Sequence, residues 1–286
     1  MTLSKRVIIQ KPDLDTCLAA LLLRVSQEDD IVVVNVTEAS DILDPNVLCI
    51  EAGGSGEILL NNFDHHNTDK RLPPACRQVY QQKMKERGCS FPPNLSDLVE
   101  YVCMVDERPS EHPSIPFPSL SNIFSGMLLV ESNRKIQFLQ GIAILKKVLA
   151  ECLNPFETLP EINEWHSYIE AKIRNQVLVT DMAKNAGYYT SSQGKRIAFS
   201  ESEAIGGIGA LYAQGCDVVI LFNPSFGNPS IQKFTIAGNN IRVYDLVEKF
   251  NTLESGWGGS EMIIGSPRAG THLIKEHVLK KVLEGL

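Results

Sequence analysis

Three short apolar runs constrain the fold more than any other feature of the chain. Arg6–Gln10 (RVIIQ), Ile31–Val36 (IVVVNV) and Asn46–Ile50 (NVLCI) have the length of strands and are rich in β-branched residues. Lys11-Pro12-Asp13 breaks the first run, and Leu14–Val25 reads as a helix. A fourth, short strand ends at Asn62-Phe63-Asp64. Strands alternating with helices predict a parallel α/β sheet. From Ala75 to Ala150 the pattern turns helical, with segments near Leu95–Val105, Leu120–Val130 and Arg134–Glu151. After Asn154-Pro155 and Pro160, Glu161–Lys184 reads as one connector helix of about 24 residues, about 36 Å long, ended by Gly187. The rest predicts a second α/β unit. It has a hairpin at Tyr188–Thr190 and Arg196–Phe199, and strands at Val218–Phe222 and Phe234–Ala237. Its helices are Gly206–Gln214, Val243–Phe250 and Leu273–Leu283, and Asn223–Ser230 is a surface turn. The resulting division is 1–158, a connector 159–187, and 188–286.

With 286 residues, two domains are expected at roughly 150 residues each, and 43% apolar residues suffice for sizeable cores. That excludes a disordered or fibrous chain. Lys+Arg number 27 against 34 Asp+Glu, a net charge of −7, which excludes a polyanion binder acting through bulk charge. An anionic substrate would need a local cation, and a bound metal is the obvious candidate. Met1–Arg6 lacks the apolar stretch of a secretory signal, and no apolar run approaches the roughly 18 residues of a membrane span. No membrane association and a cytoplasmic location are therefore expected. The seven cysteines are scattered without metal-ligand spacing and read as reduced, mostly buried thiols.

Metal-type side chains recur where strands end, the usual place for ligand sites in open α/β sheets. Asp13-Leu14-Asp15 follows the first strand, as ligands or as helix-capping acids. Glu51 follows the third strand and opens a glycine-rich turn. Asp64-His65-His66 follows the fourth, where adjacent imidazoles can turn into a cleft. Asp106 ends the Leu95–Val105 helical run. Taken together, this oxygen and nitrogen set suits Mn²⁺ or Mg²⁺ better than structural zinc.

In these motifs the chain resembles the DHH phosphoesterase superfamily: Pro12-Asp13-Leu14-Asp15 after a first strand, Asp64-His65-His66, and Asp106 at the fourth-motif position. Gly258-Gly259-Ser260-Glu261-Met262-Ile263-Ile264-Gly265 has the spacing of the glycine motif of the DHHA1-type domain. The resemblance implies an α/β fold: a parallel-sheet DHH domain with a helical second half, joined by a long connector helix to a smaller DHHA1-like domain. It implies one or two Mn²⁺ or Mg²⁺ ions held by Asp13, Asp15, Glu51, His65 and Asp106. It also implies catalytic roles for Asp64 and His66, with His66 facing the substrate phosphate. Substrate binding would involve Gly258, Gly259, Ser260 and Arg268, in a cleft closed by the second domain. The implied substrate is a short oligonucleotide, a cyclic dinucleotide or a pyrophosphate-like molecule, hydrolysed by a chain that also counts as nucleic-acid binding and could form a homodimer.

Three positions depart from the family pattern. Ile9 stands where many members carry a histidine, Glu51 replaces an aspartate, and Ser260 replaces the glycine-motif histidine. Ile9 removes a ligand of one metal; Lys11 beside it could offset the missing charge. Arg268 could substitute for the missing phosphate donor. These departures keep a second reading open, a degenerate member that binds nucleotide or a partner protein without catalysis.

Other motifs carry less. Glu51–Glu57 lacks the Gly-Lys-Ser/Thr of a phosphate loop. Gly206-Gly207-Ile208-Gly209 reads as a tight turn into a helix, and Ser119-Leu120-Ser121-Asn122 as a helix cap. His112 reads as part of a proline-rich surface loop, and His166, His272 and His277 as solvated side chains.

Overall fold

The computed structural model describes residues 4–66, 68–86, 92–107, 115–227 and 230–286; Cys89 and His112 lie outside them. The chain divides into two compact units, Met1–Lys172 and Ile173–Leu286.

The first unit is built on strands β1 (Arg6–Ile9), β2 (Asp30–Val33), β3 (Val47–Ile50) and β4 (Asn62–Phe63), in the order β2-β1-β3-β4 and all parallel. Both faces of the sheet are covered, which is why its strands read as unbroken apolar runs. Val7, Ile9, Leu48, Ile50 and Phe63 enter the main core. Ile8, Val47 and Cys49 point the other way and pack with Ala52. The main core also takes buried side chains from α1 (Leu14–Leu22), α3 (Ala75–Lys85), α4 (Leu95–Glu107), α5 (Leu120–Val130) and α6 (Arg134–Ala150). A short helix, α2 (Ala39–Leu43), precedes β3. A Cβ at Gly141 would lie 2.6 Å from Cys17 Sγ and 2.9 Å from Phe124, so α6 approaches α1 and α5 closely only because no side chain stands there. Ser119 and Asn122 close a reciprocal capping box on α5, as the sequence suggested.

The connector helix α7 covers His166–Lys184 and begins later than the expected Glu161. A 3-10 turn, Asn163–Trp165, precedes it, and the buried Trp165 anchors that turn in the main core.

The second unit carries a mixed sheet. Its strands are β5 (Gly187–Thr190), β6 (Arg196–Glu201), β7 (Val218–Phe226), β8 (Ile231–Gly238), β9 (Gly258–Ser260) and β10 (Ile263–Gly265), in the order β5-β6-β7-β8-β10-β9. One face, with Ile197, Ile220, Phe234 and Ile236, packs against α9 (Leu246–Asn251) and α10 (Lys275–Gly285). The other face, with Ala198 and Val219, packs against Met182, Ala183 and Leu211, the last from α8 (Gly207–Tyr212). The expected surface turn Asn223–Ser230 begins later than its composition suggested, and its residues 228 and 229 lie outside the described ones. β7 runs on to Phe226, and a register shift between Asn223 and Phe226 accommodates Pro224.

Candidate metal centre

In the order β2-β1-β3-β4 the chain leaves β1 for β2 on one side and returns to β3 on the other. The carboxyl ends of β1 and β3 therefore border a switch point, where side chains can converge without a strand between them. Asp13 and Asp15 follow β1, Glu51 follows β3, and Asp64-His65-His66 follows β4. Asp106 reaches the same place from the last turn of α4.

Two donor triads result, Glu51/His65/His66 and Asp15/His65/Asp106, each with its ligand atoms within 4.8 Å of one another. His65 belongs to both. Its Nε2 lies 3.1 Å from Glu51 Oε1 and 3.3 Å from Asp106 Oδ2. His66 Nε2 lies 3.2 Å from Glu51 Oε1, and the two imidazole centroids lie 4.1 Å apart with the rings tilted by 36°. His66 is the exposed member, its side chain 55% accessible against 4% for Glu51.

The backbone fixes these groups. Glu51 sits at φ +48°, a left-handed conformation uncommon for a non-glycine residue, which Arg24, Asn61, Cys152 and Asn240 also adopt in this chain. Its other oxygen accepts from Thr16 Oγ1 at 2.8 Å. Asp13 caps α1 by accepting from the Thr16 amide at 3.0 Å. Asp15 receives the amides of Ala75 and Cys76, one on each oxygen, both at 2.7 Å. The amino terminus of α3 is thus aimed at Asp15. Each carboxylate oxygen keeps a second lone pair, so capping leaves it able to ligate a cation.

Asp64 is placed differently from the other acids. It is buried, and its two oxygens accept from the backbone amides of Gly53 (2.6 Å) and His66 (2.8 Å). It joins the turn after β3 to the histidine loop and belongs to neither triad. Gln78, whose amide donates to the carbonyls of Asp64 (2.9 Å) and Pro73 (2.8 Å), braces the same loop. Sequence reasoning missed Thr16 and Gln78. Thr16 offered a weak signal, a hydroxyl beside an acid pair; Gln78 offered none.

The electrostatics show why these donors suit a cation. Burial, then the charge of Glu51, push Asp13 up to about 7. The same two causes, in the same order, raise Asp15 well above the usual carboxylate range, and also raise Asp106. Burial works against Glu51 too, yet hydrogen bonds from His65, His66 and Thr16 hold it well below that range. The partnership with Glu51 raises both imidazoles. Protons are here compensating a crowd of carboxylates that a cation would satisfy better. The donors are carboxylate oxygens and imidazole nitrogens with no thiolate among them, which fits Mn²⁺ or Mg²⁺.

No family model matches the sequence, and no curated protein matches it. Solved structures do match. One is a pGpG-specific phosphodiesterase, PggH from Vibrio cholerae, at 17% identity, with 98% of each chain covered and a TM-score of 0.61. The fold is DHH-like. A DHH domain from a member of the s1p family of ribosomal proteins also aligns, at 11% identity, over 97% of this chain and 85% of that one, with a TM-score of 0.40.

The remaining predicted residues can now be placed in this fold. Ile9 is fully buried in the main core, so its position contributes no ligand. Gly258, Gly259 and Ser260 form strand β9 of a tight hairpin with β10, where the sequence had suggested a loop. Gly259 has φ +153°, and a Cβ there would lie 2.2 Å from the Ile263 carbonyl oxygen, so the hairpin requires glycine at this point. Ser260 and Arg268 are exposed in the second unit. No described helix is long and apolar enough to cross a membrane.

Proposed function

We propose that this chain is a divalent-metal-dependent phosphohydrolase acting on a small nucleotide. The observation that carries the reading is His65, shared by two donor triads at the switch point of a DHH-like fold. Asp15, Glu51, His65 and Asp106 hold the cation, with Asp13 at the margin of the group. A divalent cation in this place supplies Lewis-acid polarisation of a phosphoryl oxygen and a more acidic attacking water. The chain's own residues do the rest. His66, exposed and polarised by Glu51, donates to a substrate phosphate or protonates the leaving oxygen. Asp64 touches no substrate in this reading; it orients the His65-His66 loop. Ser260 and Arg268 contact substrate phosphate, where the guanidinium offers a bidentate partner.

The structurally similar PggH is named for its action on pGpG. A linear dinucleotide is therefore the first substrate to offer, beside cyclic dinucleotides and pyrophosphate. Mn²⁺-dependent release of mononucleotide that His65→Ala lowers by more than 100-fold supports the reading. Hydrolysis undiminished by that change overturns it. The non-catalytic alternative draws on Ile9, whose apolar side chain leaves one potential metal position without a ligand. Under that alternative, dinucleotide binds in the presence of Mn²⁺ and is recovered intact.

A further inference from the structure

Beneath the metal centre lie two thiols that play no part in the function above. Cys76, in the first turn of α3, and Cys103, in α4, place their sulfurs 3.7 Å apart in the first unit's core. They are 0% and 2% exposed. Their 27-residue separation in sequence concealed the pairing. Arg77 donates from Nε to Cys103 Sγ at 3.2 Å and is ion-paired to Glu100 through its other end.

We propose that Cys76 and Cys103 form a reversible disulfide that loosens the seat of Asp15. Three observations support this. The sulfurs already touch, and a disulfide requires about 2.05 Å, so about 1.7 Å of approach closes the bond. The pair is also asymmetric. The hydrogen bond with Cys76, opposed by burial and reinforced by the Arg77 guanidinium, lowers the Cys103 thiol below its ordinary range. This makes Cys103 the attacking sulfur. Finally, Cys76 is tied to the site through its own backbone. Its amide and that of Ala75 are the 2.7 Å donors to the two Asp15 oxygens. Drawing Cys76 towards α4 strains that cradle. Loss of such supporting hydrogen bonds typically weakens metal binding by about 10–100-fold.

Hydrogen peroxide is small enough to serve as the oxidant at a nearly buried site. Cys103 thiolate attacks one peroxide oxygen; the O–O bond breaks and the departing hydroxide takes up a proton to leave as water. The Cys76 sulfur, giving up its proton, then attacks the Cys103 sulfenic sulfur and expels its oxygen as a second water. Two thiols and one peroxide yield one disulfide and two waters. Dithiothreitol returns both thiols.

The effect on metal rests on the metal-centre reading; the disulfide itself does not. The full chain is treated with peroxide, digested and mapped by mass, and Mn²⁺ binding is measured calorimetrically before oxidation, after it, and after dithiothreitol. The expected result is a Cys76–Cys103 cross-linked peptide, 2 Da lighter than its reduced parts, with Mn²⁺ affinity lowered at least tenfold and restored by reduction. Cys103→Ser, or Cys103→Ala should the serine fold poorly, keeps its Mn²⁺ affinity through peroxide treatment. Absence of the cross-link, its formation with unchanged Mn²⁺ affinity, or equal peroxide sensitivity in the Cys103 variants overturns the proposal. If the reduced chain binds no Mn²⁺ at all, the metal reading fails, while the peptide map still decides whether the dithiol closes.

Discussion

Replacing Asp13 with asparagine should stabilise the metal-free protein, and by an amount that grows with pH. Burial and Glu51 raise the Asp13 carboxyl from 3.8 to about 7 in the folded chain. Below pH 3.8 the folded and unfolded forms both hold the proton, and the group contributes nothing. Between 3.8 and 7 the unfolded chain releases the proton and the folded chain keeps it, so stability falls by about 1.4 kcal/mol per pH unit. The cost is about 1.6 kcal/mol at pH 5 and reaches a ceiling of about 4 kcal/mol above pH 7. Readjustment of Glu51 and the two imidazoles reduces it to about half that. Asparagine keeps the carbonyl oxygen that caps α1 through the Thr16 amide and carries no charge to repel Glu51. In EDTA at pH 8, Asp13→Asn should therefore melt higher than wild type by about 4–8 °C, at about 2–4 °C per kcal/mol. At pH 5 the difference should shrink to about 3 °C or less. A melting-temperature difference that is absent at pH 8, or equal at the two pH values, refutes the reasoning.

Three further outcomes follow from the same geometry. Saturating Mn²⁺, at about 100 times its Kd, should add about 2.7 kcal/mol of stability. At a fixed Mn²⁺ concentration the gain should be larger at pH 8 than at pH 6, because binding displaces protons from the raised Asp13, Asp15 and imidazole groups and the Kd rises as pH falls; paired thermal melts read it directly. Asp64→Asn retains one acceptor but loses the other charge-assisted bond, to Gly53 or to His66, and should cost about 1.5–3 kcal/mol together with about tenfold in Mn²⁺ affinity, measured by denaturant titration and calorimetry. Gly259→Ala forces a Cβ against the Ile263 carbonyl, and hydrogen exchange should show loss of protection across β9 and β10 while β1–β4 stay unchanged.

The parts of the fold legible in the sequence were those with a strong local period. β1, β2 and β3 are apolar on both faces, and α5 carries a complete capping box, so short windows sufficed. The elements missed are short or glycine-rich. α2 has no buried residue to create a period, and β9 is Gly-Gly-Ser, held by its pairing with β10 instead of by propensity. β7 was cut short because Pro224 reads as a terminator, and only the bulge beside it lets the strand continue. In the site, residue type at strand ends pointed to Asp15, Glu51, His65 and His66, and an acid closing a helical run pointed to Asp106; the fold brings the five together. The supporting layer was illegible. Gln78 and the paired thiols of Cys76 and Cys103 gain their partners only through the packing of α3 on β4 and α4.

The same clustering of charge sets an order of binding. With Asp13, Asp15, Glu51 and Asp106 all ionised beside two charged imidazoles the cluster would carry 2 − 4 = −2; without metal, the raised Asp13 and Asp15 hold protons that offset part of this charge, and Asp13 releases its own above about pH 7. At an effective dielectric of about 20, one unit charge opposes another 8 Å away by about 2 kcal/mol. Each uncompensated negative charge therefore opposes a phosphate by about 2 kcal/mol, or about 30-fold in affinity. One divalent cation removes that opposition. Nucleotide binding should accordingly require metal: calorimetry with pGpG in EDTA should show no binding at concentrations where Mn²⁺ gives a saturable isotherm. Metal-independent binding of equal strength would mean that the phosphates dock away from this cluster. Substitution of Arg268 in the second unit would then be expected to abolish binding, while His65→Ala would leave it intact.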